Sequence, residues 1–273
     1  MNQSISKKGH YFPIMHMSGP NQMATDMMLL EKVKLNSDIS IALRFYQWKG
    51  LCLSVGKNQK KLPSNWIDLA KRKEIKIIRR PSGGNAVLHS GGLTYALIWR
   101  SPPRRKREAY YLASQWLIKG FADLGLPLIF GNQSANPSEK NCFSTSTLAD
   151  LIDPLGNKRI GSAQVWQKGS LLQHGEILLD PPAKLWMEIF KTKAPKPASI
   201  SIPKISLVET LYKACRSCWP EVSWQDKKLT KKEYEKITIN SMKYALNINQ
   251  PDLSINPAES IASTASGRAN PSG

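Results

Sequence analysis

The chain has 273 residues, 41% of them hydrophobic, which is enough for one sizeable core. Its 39 Lys and Arg residues against 20 Asp and Glu residues give a formal net charge of +19, so we expect acidic partners. No apolar run approaches the ~20 residues of a bilayer span, and Met1 to Pro20 lacks the apolar core of a signal peptide. These features argue against a membrane or secreted protein and predict a cytoplasmic one.

The four cysteines, Cys52, Cys142, Cys215 and Cys218, are too few and too irregularly spaced for a disulfide framework. Reduced thiols are therefore expected. The Cys215-x-x-Cys218 pair is compatible with a redox or half-zinc motif, but no second pair accompanies it. Its apolar neighbours favour the end of a helix, so we predict no metal site.

Apolar spacing predicts helices and strands in alternation over the first third of the chain. A helix is expected over 21–33 and a second, amphipathic one over 63–73. Short apolar runs predict strands over 41–46 and 51–55, paired with each other, and a third strand over 75–78. The methionines of the first helix are interpreted as core residues.

The rest of the chain continues with mostly helical patterns. After a strand that ends at Trp99, the longest helix is expected to open at Arg104–Arg107 and to stop at Gly125. A loop over 131–140 follows, and later helices are predicted over 181–190, 206–218 and 230–246. These elements predict a main domain over 18–247, an N-terminal segment over 1–17 and a disordered tail over 248–273.

The stretch from Asn157 to Asp180 combines a lysine, small residues and a histidine in two apolar runs. Lys158 is followed by Gly161, Ser162 and Ala163, which allow close approach of a substrate to the backbone. A turn at Lys168-Gly169 leads to a second run that contains Gln173-His174-Gly175. We predict a tight hairpin that forms the floor of a pocket.

A second stretch reads R-R-P-S-G-G-N-A-V-L-H over Arg79 to His89. Two arginines, a proline turn and adjacent glycines predict a mobile loop rich in backbone N–H donors and positive charge. Such a loop suits a phosphate or a phosphopantetheine arm. The alternative, an ordinary turn between strands, explains the glycines but neither the paired arginines nor Ser82.

These blocks, R-R-P-S-G-G-x-A-V-x-H, G-N-K-x-x-G-S-A-Q and L-Q-H-G-x-I-L, resemble the lipoate-protein ligase and octanoyltransferase family, part of the biotin/lipoate ligase superfamily. The likeness extends over about 18–180, in the family's order. It implies an α/β (α+β) catalytic domain over 18–247, with a mixed, largely antiparallel sheet packed against helices. Asn85 stands where the family often has a third glycine, and Met27 where it commonly has an acidic residue.

Cys142 lies in a polar loop sixteen residues before Lys158. If the chain returns through a hairpin, a nearby ammonium would lower the pKa of the thiol and favour the nucleophilic thiolate. A spectator cysteine remains the alternative. The resemblance to the cysteine-dependent octanoyltransferase branch implies that Cys142 takes an octanoyl group as a thioester and that Lys158 assists.

The resemblance further implies an acyl pocket between the sheet and the loop over 79–89. His89 and His174 are expected to line its wall rather than to act as bases. The candidate substrate-binding residues are Arg79, Arg80, Ser82, Gly83, Gly84, Asn85, Ala86, His89, Gly161, Ser162, Ala163, His174 and Gly175.

The implied reaction moves an octanoyl group from acyl carrier protein to a lysine of a lipoyl domain, either of 2-oxoacid dehydrogenases or of glycine cleavage H protein. It needs no cofactor. The alternative is an ATP- and Mg-dependent lipoate-protein ligase that forms a lipoyl-adenylate and needs no cysteine. A biotin ligase is disfavoured because the G-R-G-R-x-G loop is absent from the sequence.

The run Arg104–Arg107 permits two further interpretations. A nucleic-acid patch would need interleaved aromatic residues, which neither this run nor 227–232 contains, so no nucleic-acid partner is predicted. Cations at a helix N-terminus oppose the helix dipole, so something other than local stability retains them. We hypothesise that they dock an acidic carrier.

Overall fold

A computed structural model describes residues 7–131, 149–200 and 202–248 of the chain. Within these ranges the strands are β1 (Lys7–Met17), β2 (Ile39–Trp48), β3 (Cys52–Val55), β4 (Lys76–Arg79), β5 (Val87–His89), β6 (Gly92–Arg100), β7 (Ile129–Phe130), β8 (Asp150–Ile152), β9 (Lys158–Gln167), β10 (Ser170–Leu178) and β11 (Val222–Asp226). The helices are α1 (Gly19–Leu35), α2 (Ser64–Lys71), α3 (Lys106–Asp123), α4 (Ala183–Phe190), α5 (Lys204–Cys218) and α6 (Lys231–Ser241).

Eight strands form one large sheet in the order β11-β1-β2-β6-β10-β9-β8-β7. The pairs of β1 with β11 and with β2 are parallel, and the remaining neighbours are antiparallel. The predicted α/β (α+β) class with a mixed, largely antiparallel sheet is confirmed. In the parts of the chain that the structure describes, no helix is both long and apolar enough to cross a bilayer.

The large sheet buries both of its faces because alternate residues of its central strands are apolar on each side. Leu43 and Phe45 of β2 pack on one face against α3 and α5, in a core that includes Trp116 and Leu211. Ala42 and Tyr46 face the opposite side, where α1 packs. The apolar residues whose spacing predicts α1 are therefore the ones that pack in this second core.

A smaller sheet has the order β4-β3-β5 and packs with α2 and α4 in a third core that contains Trp66 and Trp186. The predicted pairing of the strands around 41–46 and 51–55 is wrong. β3 pairs with β4 and β5, because β1 and β6 already occupy both edges of β2. Residues of both sheets line a space between them.

The N-terminal segment contributes more structure than its composition predicts. Residues 7–17 form β1 inside the large sheet, with a register shift around Pro13, whose nitrogen cannot donate to the ladder. The last helix begins at Lys231 with a Thr230–Glu233 capping box and continues as a short 3-10 turn to Tyr244. The predicted tail over 248–273 lies outside the described residues apart from Ile248. The predicted loop over 131–140 lies outside them apart from Gly131, and so does Cys142.

Candidate active site

A cavity of about 280 Å³ lies between the large sheet and the small sheet. Strands β9 and β10 form one wall, and the end of β5 with the loop over 80–84 forms the other. Its lining residues are Met23, Tyr46, Trp48, Ser54, Arg80, Gly83, Gly84, Val87, His89, Thr94, Tyr110, Gly161, Ser162, Ala163, Gln164, His174, Gly175 and Glu176. Its volume is close to the lower end, roughly 300 Å³, of cavities that hold small ligands.

The β9–β10 hairpin has the geometry predicted from its sequence. Lys168 and Gly169 both have positive φ, 44° and 76°, as a two-residue turn between right-twisted strands requires. Gly175 has no room for a side chain, since an added Cβ would lie 2.7 Å from the carbonyl oxygen of Gly161. The hairpin therefore brings two backbones close together beside the cavity.

His174, on β10, is held between a serine and an aspartate. Its Nδ1 lies 2.9 Å from Oδ2 of Asp26, and its Nε2 lies 2.6 Å from Oγ of Ser82. Because a carboxylate can only accept, Nδ1 carries the proton, and Nε2 accepts from the Ser82 hydroxyl. Ser82 itself is 1% exposed and does not line the cavity, so the arrangement fixes the loop rather than presenting a nucleophile.

Asp26 is surrounded by further polar partners on α1 and β2. Arg44 lies 3.2 Å from its Oδ1, and the Tyr46 hydroxyl donates to its Oδ2 over 3.0 Å. Burial, reinforced by Asp26, raises the pKa of Tyr46 well above its usual value, so the phenol stays protonated and donates. Arg44 also donates to Gln22, so the buried aspartate has a compensating cation that is itself hydrogen-bonded.

His89, on β5, is held in a second chain of the same kind. Its Nδ1 lies 2.7 Å from Oε2 of Glu176, and its Nε2 lies 2.8 Å from Oγ of Ser54. Burial lowers the pKa of His89 below its usual value, so the ring is neutral at pH 7, donates to Glu176 and accepts from Ser54. Two histidines, each held between a carboxylate and a serine hydroxyl, therefore line one cavity.

The chain through His89 extends at both ends. Arg80 donates to Ser54 Oγ over 3.3 Å, and Thr94 donates to Glu176, while the indole nitrogen of Trp48 donates to Thr94 Oγ1 over 2.7 Å. Trp48 also stacks on the His89 ring with centroids 3.8 Å apart. Hydrogen bonds thus connect the Arg80 guanidinium, through Ser54, to the neutral His89 ring and on to the Glu176 carboxylate along the cavity wall.

The loop over 80–86 is held by the arginines that the sequence singles out. The Arg80 guanidinium donates to the carbonyl oxygens of Ser54, Gly83 and Asn85. Arg79 points away from the cavity and donates to the carbonyls of Gly56 and Gln59. Gly84 has φ +89°, a conformation that glycine adopts without strain. Both arginines therefore hold the loop backbone through hydrogen bonds to carbonyl oxygens, and the mobility expected from the glycines stays a prediction.

Lys158 is the first residue of β9 and is 4% exposed. Its ammonium lies 2.9 Å from Oδ2 of Asp150, so the buried charge is paired. The neighbouring Arg159 pairs separately with Asp153 at 2.7 Å. The backbone nitrogen of Gly131 donates to the carbonyl oxygen of Asp150, so Gly131 lies close to the residue that pairs with Lys158.

The sequence profile described as Lipoyl protein ligase A/B catalytic domain matches residues 19–223. The chain belongs to this family. The matched region contains α1, both sheet walls of the cavity and the hairpin, and it extends from α1 into the start of β11, so that β1, most of β11, α6 and the 3-10 turn lie outside it.

Curated relatives of the family carry the name Octanoyltransferase LipM. The chain is 37% identical over 150 residues to the one from Halalkalibacterium halodurans, which covers 50% of this chain and 54% of the relative. It is 36% identical over 181 residues to the one from Geobacillus kaustophilus, covering 62% and 64%. The alignments thus span less than two thirds of the length of these relatives.

Solved structures of the family share the fold. A bi-partite lipoate protein ligase from Thermoplasma acidophilum, described with its E2 lipoyl domain, superposes with a TM-score of 0.68 at 15% identity, over 90% of this chain and 96% of that chain. Lipoate-protein ligase A bound with ATP superposes with a TM-score of 0.69 at 16% identity, over 86% and 95%. At these identities the likeness concerns the fold alone.

The structure brings most of the predicted substrate-binding residues to the cavity. Those that line it are Arg80, Gly83, Gly84, His89, Gly161, Ser162, Ala163, His174 and Gly175. Ser82 and Asn85 lie behind the lining, where they contact His174 and Arg80. Ala86 packs in the core of the small sheet, and neither Arg79 nor Lys158 is among the lining residues. Cys142 lies outside the described residues.

Several lining or supporting residues were not singled out from the sequence. They are Asp26, Tyr46, Trp48, Ser54, Thr94, Tyr110, Gln164 and Glu176. For two of them the sequence contains a signal that could have indicated a functional position. Asp26 is a carboxylate on the face of a helix that the apolar spacing predicts to be buried, and Glu176 stands two residues after His174 on the same face of a buried strand.

No metal-binding cluster is found in the ranges 7–131, 149–200 and 202–248, where no three His, Cys, Asp or Glu side chains gather in a suitable group. Cys215 and Cys218 belong to α5 and are unpaired thiols there, with Cys215 buried. Burial raises the pKa of Cys215 well above its usual value, which makes it a core residue rather than a reactive thiol.

Proposed function

We propose that this protein transfers an octanoyl group from acyl carrier protein to a lysine of a lipoyl domain, in 2-oxoacid dehydrogenases or in glycine cleavage H protein. The observation that carries the proposal is the cavity between the two sheets, in a chain whose curated relatives are named octanoyltransferases. The proposal includes a cytoplasmic site of action and no cofactor.

The proposed route has two acyl transfers through Cys142. In the first, the Cys142 thiolate attacks the thioester carbonyl of octanoyl-acyl carrier protein; a new C–S bond forms, and the carrier leaves as a thiol after taking up a proton. In the second, the neutral amine of the acceptor lysine attacks the Cys142 thioester. An amide forms, the C–S bond breaks, and the amine proton passes to solvent or to a base. No ATP is consumed.

The cavity suits the acyl chain on grounds of polarity. Met23, Trp48 and Val87 supply apolar surface, and each buried methylene is worth ~0.8 kcal/mol. The backbone over Gly161–Ala163 allows close approach of the acyl group. His89 and His174, with rings fixed by carboxylates, are proposed to orient the carbonyl and the incoming amine by hydrogen bonding rather than to act as nucleophiles.

Lys158 is proposed to favour the thiolate of Cys142. Its ammonium is buried and ion-paired with Asp150, whose carbonyl oxygen accepts from the backbone nitrogen of Gly131. A fixed cation near a thiol lowers the thiol pKa and raises the thiolate fraction at neutral pH. An electrostatic role of this kind is therefore proposed for Lys158.

An ATP-free transfer assay separates the proposal from its alternative. Octanoyl-acyl carrier protein and an unmodified lipoyl domain are incubated with the enzyme, and the mass of the domain is followed. The transferase gains activity from neither ATP nor Mg and is inactive as Cys142→Ala. A lipoate-protein ligase would instead need ATP with free octanoate or lipoate, and would keep its activity in Cys142→Ala.

A further inference from the structure

The N-terminus of α3 carries four consecutive cations, Arg104, Arg105, Lys106 and Arg107, referred to below as the α3 cation patch. All four residues are exposed. Among the described residues none of them forms an ion pair, although the chain pairs several other surface cations. The patch is therefore a concentration of uncompensated positive charge on the surface.

The patch opposes the electrostatics of its own helix. Arg105 is the N-cap of α3 and makes no side-chain cap hydrogen bond, and the first turn contains a single acidic residue, Glu108. Helix N-termini carry partial positive charge, so four cations there weaken the helix rather than support it. Local stability does not account for the patch.

Two cations of the patch share a helix face with a residue of the cavity lining. Tyr110, at the start of the second turn of α3, lines the cavity and stands three and four residues after Arg107 and Lys106. Residues at these spacings are neighbours on one face of a helix. The cations nearest the cavity are thus on the same side of α3 as a residue that lines it.

An apolar surface adjoins the patch. Tyr111 is 53% exposed and stacks on Phe130 of the edge strand β7, with ring centroids 5.4 Å apart. Its neighbour Ile129 is 60% exposed. Exposed aromatic and aliphatic residues beside cations are typical of a protein-binding surface with an anionic partner.

We propose that the α3 cation patch is the docking surface of the octanoyl donor, acyl carrier protein, an acidic protein that carries its acyl chain on a phosphodiester-linked arm. The proposal rests on the proposed function. Three of the four cations are arginines, whose guanidinium groups match phosphate and carboxylate oxygens in pairs. The acceptor domain presents a lysine and no phosphate, so the phosphate-bearing acidic donor complements the α3 cation patch better.

The test compares two sets of charge reversals. The first is the triple variant Arg104→Glu, Arg105→Glu, Arg107→Glu. The matched control is Lys228→Glu, Lys231→Glu, Lys232→Glu, which changes the net charge equally, also surrounds a helix N-terminus, and involves exposed residues that do not line the cavity. Each enzyme is assayed with octanoyl-acyl carrier protein and with octanoyl-N-acetylcysteamine, a small thioester without phosphate or protein.

We expect the α3 triple variant to lose about 10-fold or more in kcat/KM for octanoyl-acyl carrier protein, through KM, and to stay within about 2-fold of the parent with the small thioester. The control should stay within about 2-fold for both donors. The difference should shrink in ~0.5 M salt, where exposed charges are screened beyond a few ångströms.

Three outcomes overturn the proposal: equal losses in both triple variants, unchanged kinetics in the α3 variant, or a loss confined to KM for the lipoyl domain, which would make the patch an acceptor surface. If the parent transfers from neither donor, the proposed function fails. Fluorescence anisotropy of labelled octanoyl-acyl carrier protein then decides the docking proposal separately: binding that is weakened only in the α3 variant supports it, and undetectable or equal binding overturns it.

Discussion

Each of the two cavity histidines is fixed by a hydroxyl on one ring nitrogen and a carboxylate on the other. For His89 the carboxylate is Glu176, which also accepts from Thr94 and thereby holds Trp48. Such a buried network is worth most when every member is satisfied, because any polar group left unpaired loses its hydration without compensation. The network therefore specifies both the ring orientation and the shape of the wall.

We predict that Glu176→Gln lowers the free energy of unfolding by roughly 1–3 kcal/mol, since a neutral amide replaces the carboxylate whose Oε2 accepts from both His89 and Thr94, and hydrogen bonds to a charged acceptor are the stronger ones. Glu74→Gln is the matched control, because Glu74 forms an exposed ion pair with Arg72 and should change stability by less than about 0.5 kcal/mol. Urea unfolding of both variants measures the difference. Equal losses in the free energy of unfolding would show that the buried network of Glu176 stabilises the fold no more than the exposed ion pair of Glu74 does.

His10, on β1, gives stability a pH dependence of known sign. Burial, with Lys227 and then Lys32 nearby, lowers its pKa from 6.5 to about 4. As pH falls below 6.5 the unfolded chain takes up this proton before the folded chain does, so stability is fully present above pH 6.5 and is lost toward pH 4. His89 contributes in the same direction, because its pKa is lowered too.

We therefore predict that the free energy of unfolding of the parent declines between pH 6.5 and pH 4 and that His10→Gln declines less steeply over the same interval. The slope should not vanish in the variant, because His89 remains. Denaturant unfolding at a series of pH values measures both slopes. Identical slopes would mean that His10 is as easily protonated in the folded protein as in the unfolded chain.

At the scale of elements, the two loops that flank the small sheet are in direct backbone contact. A Cβ added to Gly56, after β3, would lie 1.9 Å from the carbonyl oxygen of Gly84, in the loop between β4 and β5. Arg79 and Arg80 bridge the same loops through backbone carbonyls. The loop that contributes Gly83 and Gly84 to the cavity is thus packed closely against Gly56 and is held by hydrogen bonds from two arginines.

Gly56→Ala should lower the free energy of unfolding by roughly 1–3 kcal/mol, because the backbone of Gly84 must move to admit the methyl group. Gly83→Ala is the control: nothing in the described structure lies within 4 Å of its added Cβ, and its φ is not positive. Thermal unfolding should separate the two variants clearly. A Gly56→Ala protein as stable as Gly83→Ala would contradict the packing described.

The sequence specified local elements better than their partners. Helical spacing predicts α1, α3 and α5 nearly to their ends, and Lys168-Gly169 predicts the hairpin turn, since these signals are local. The choice of β4 and β5 as partners of β3 depends on which strand edges are already occupied, which no local pattern contains. The roles of Asp26 and Glu176 could not be predicted for the same reason, because their partners, His174 and His89, are remote in sequence.

At the scale of the whole molecule, the two sheets enclose one cavity that is lined by apolar residues and by the histidine and carboxylate side chains described above. The net charge of +19 favours acidic protein partners over the whole surface, and the α3 cation patch concentrates that charge beside the cavity. Gly131 is hydrogen-bonded to Asp150, the ion-pair partner of Lys158. The proposed function requires that the donor, the Cys142 thiol and the acyl pocket meet.

The most direct measurement is the mass of the protein after incubation with octanoyl-acyl carrier protein in the absence of an acceptor domain and of ATP. The account predicts a mass increase of one octanoyl group, located on Cys142 by peptide mapping, removed by hydroxylamine or by addition of a lipoyl domain, and absent in Cys142→Ala. An enzyme that modifies the lipoyl domain while Cys142 never carries the group, or that does so only with ATP, would contradict the account.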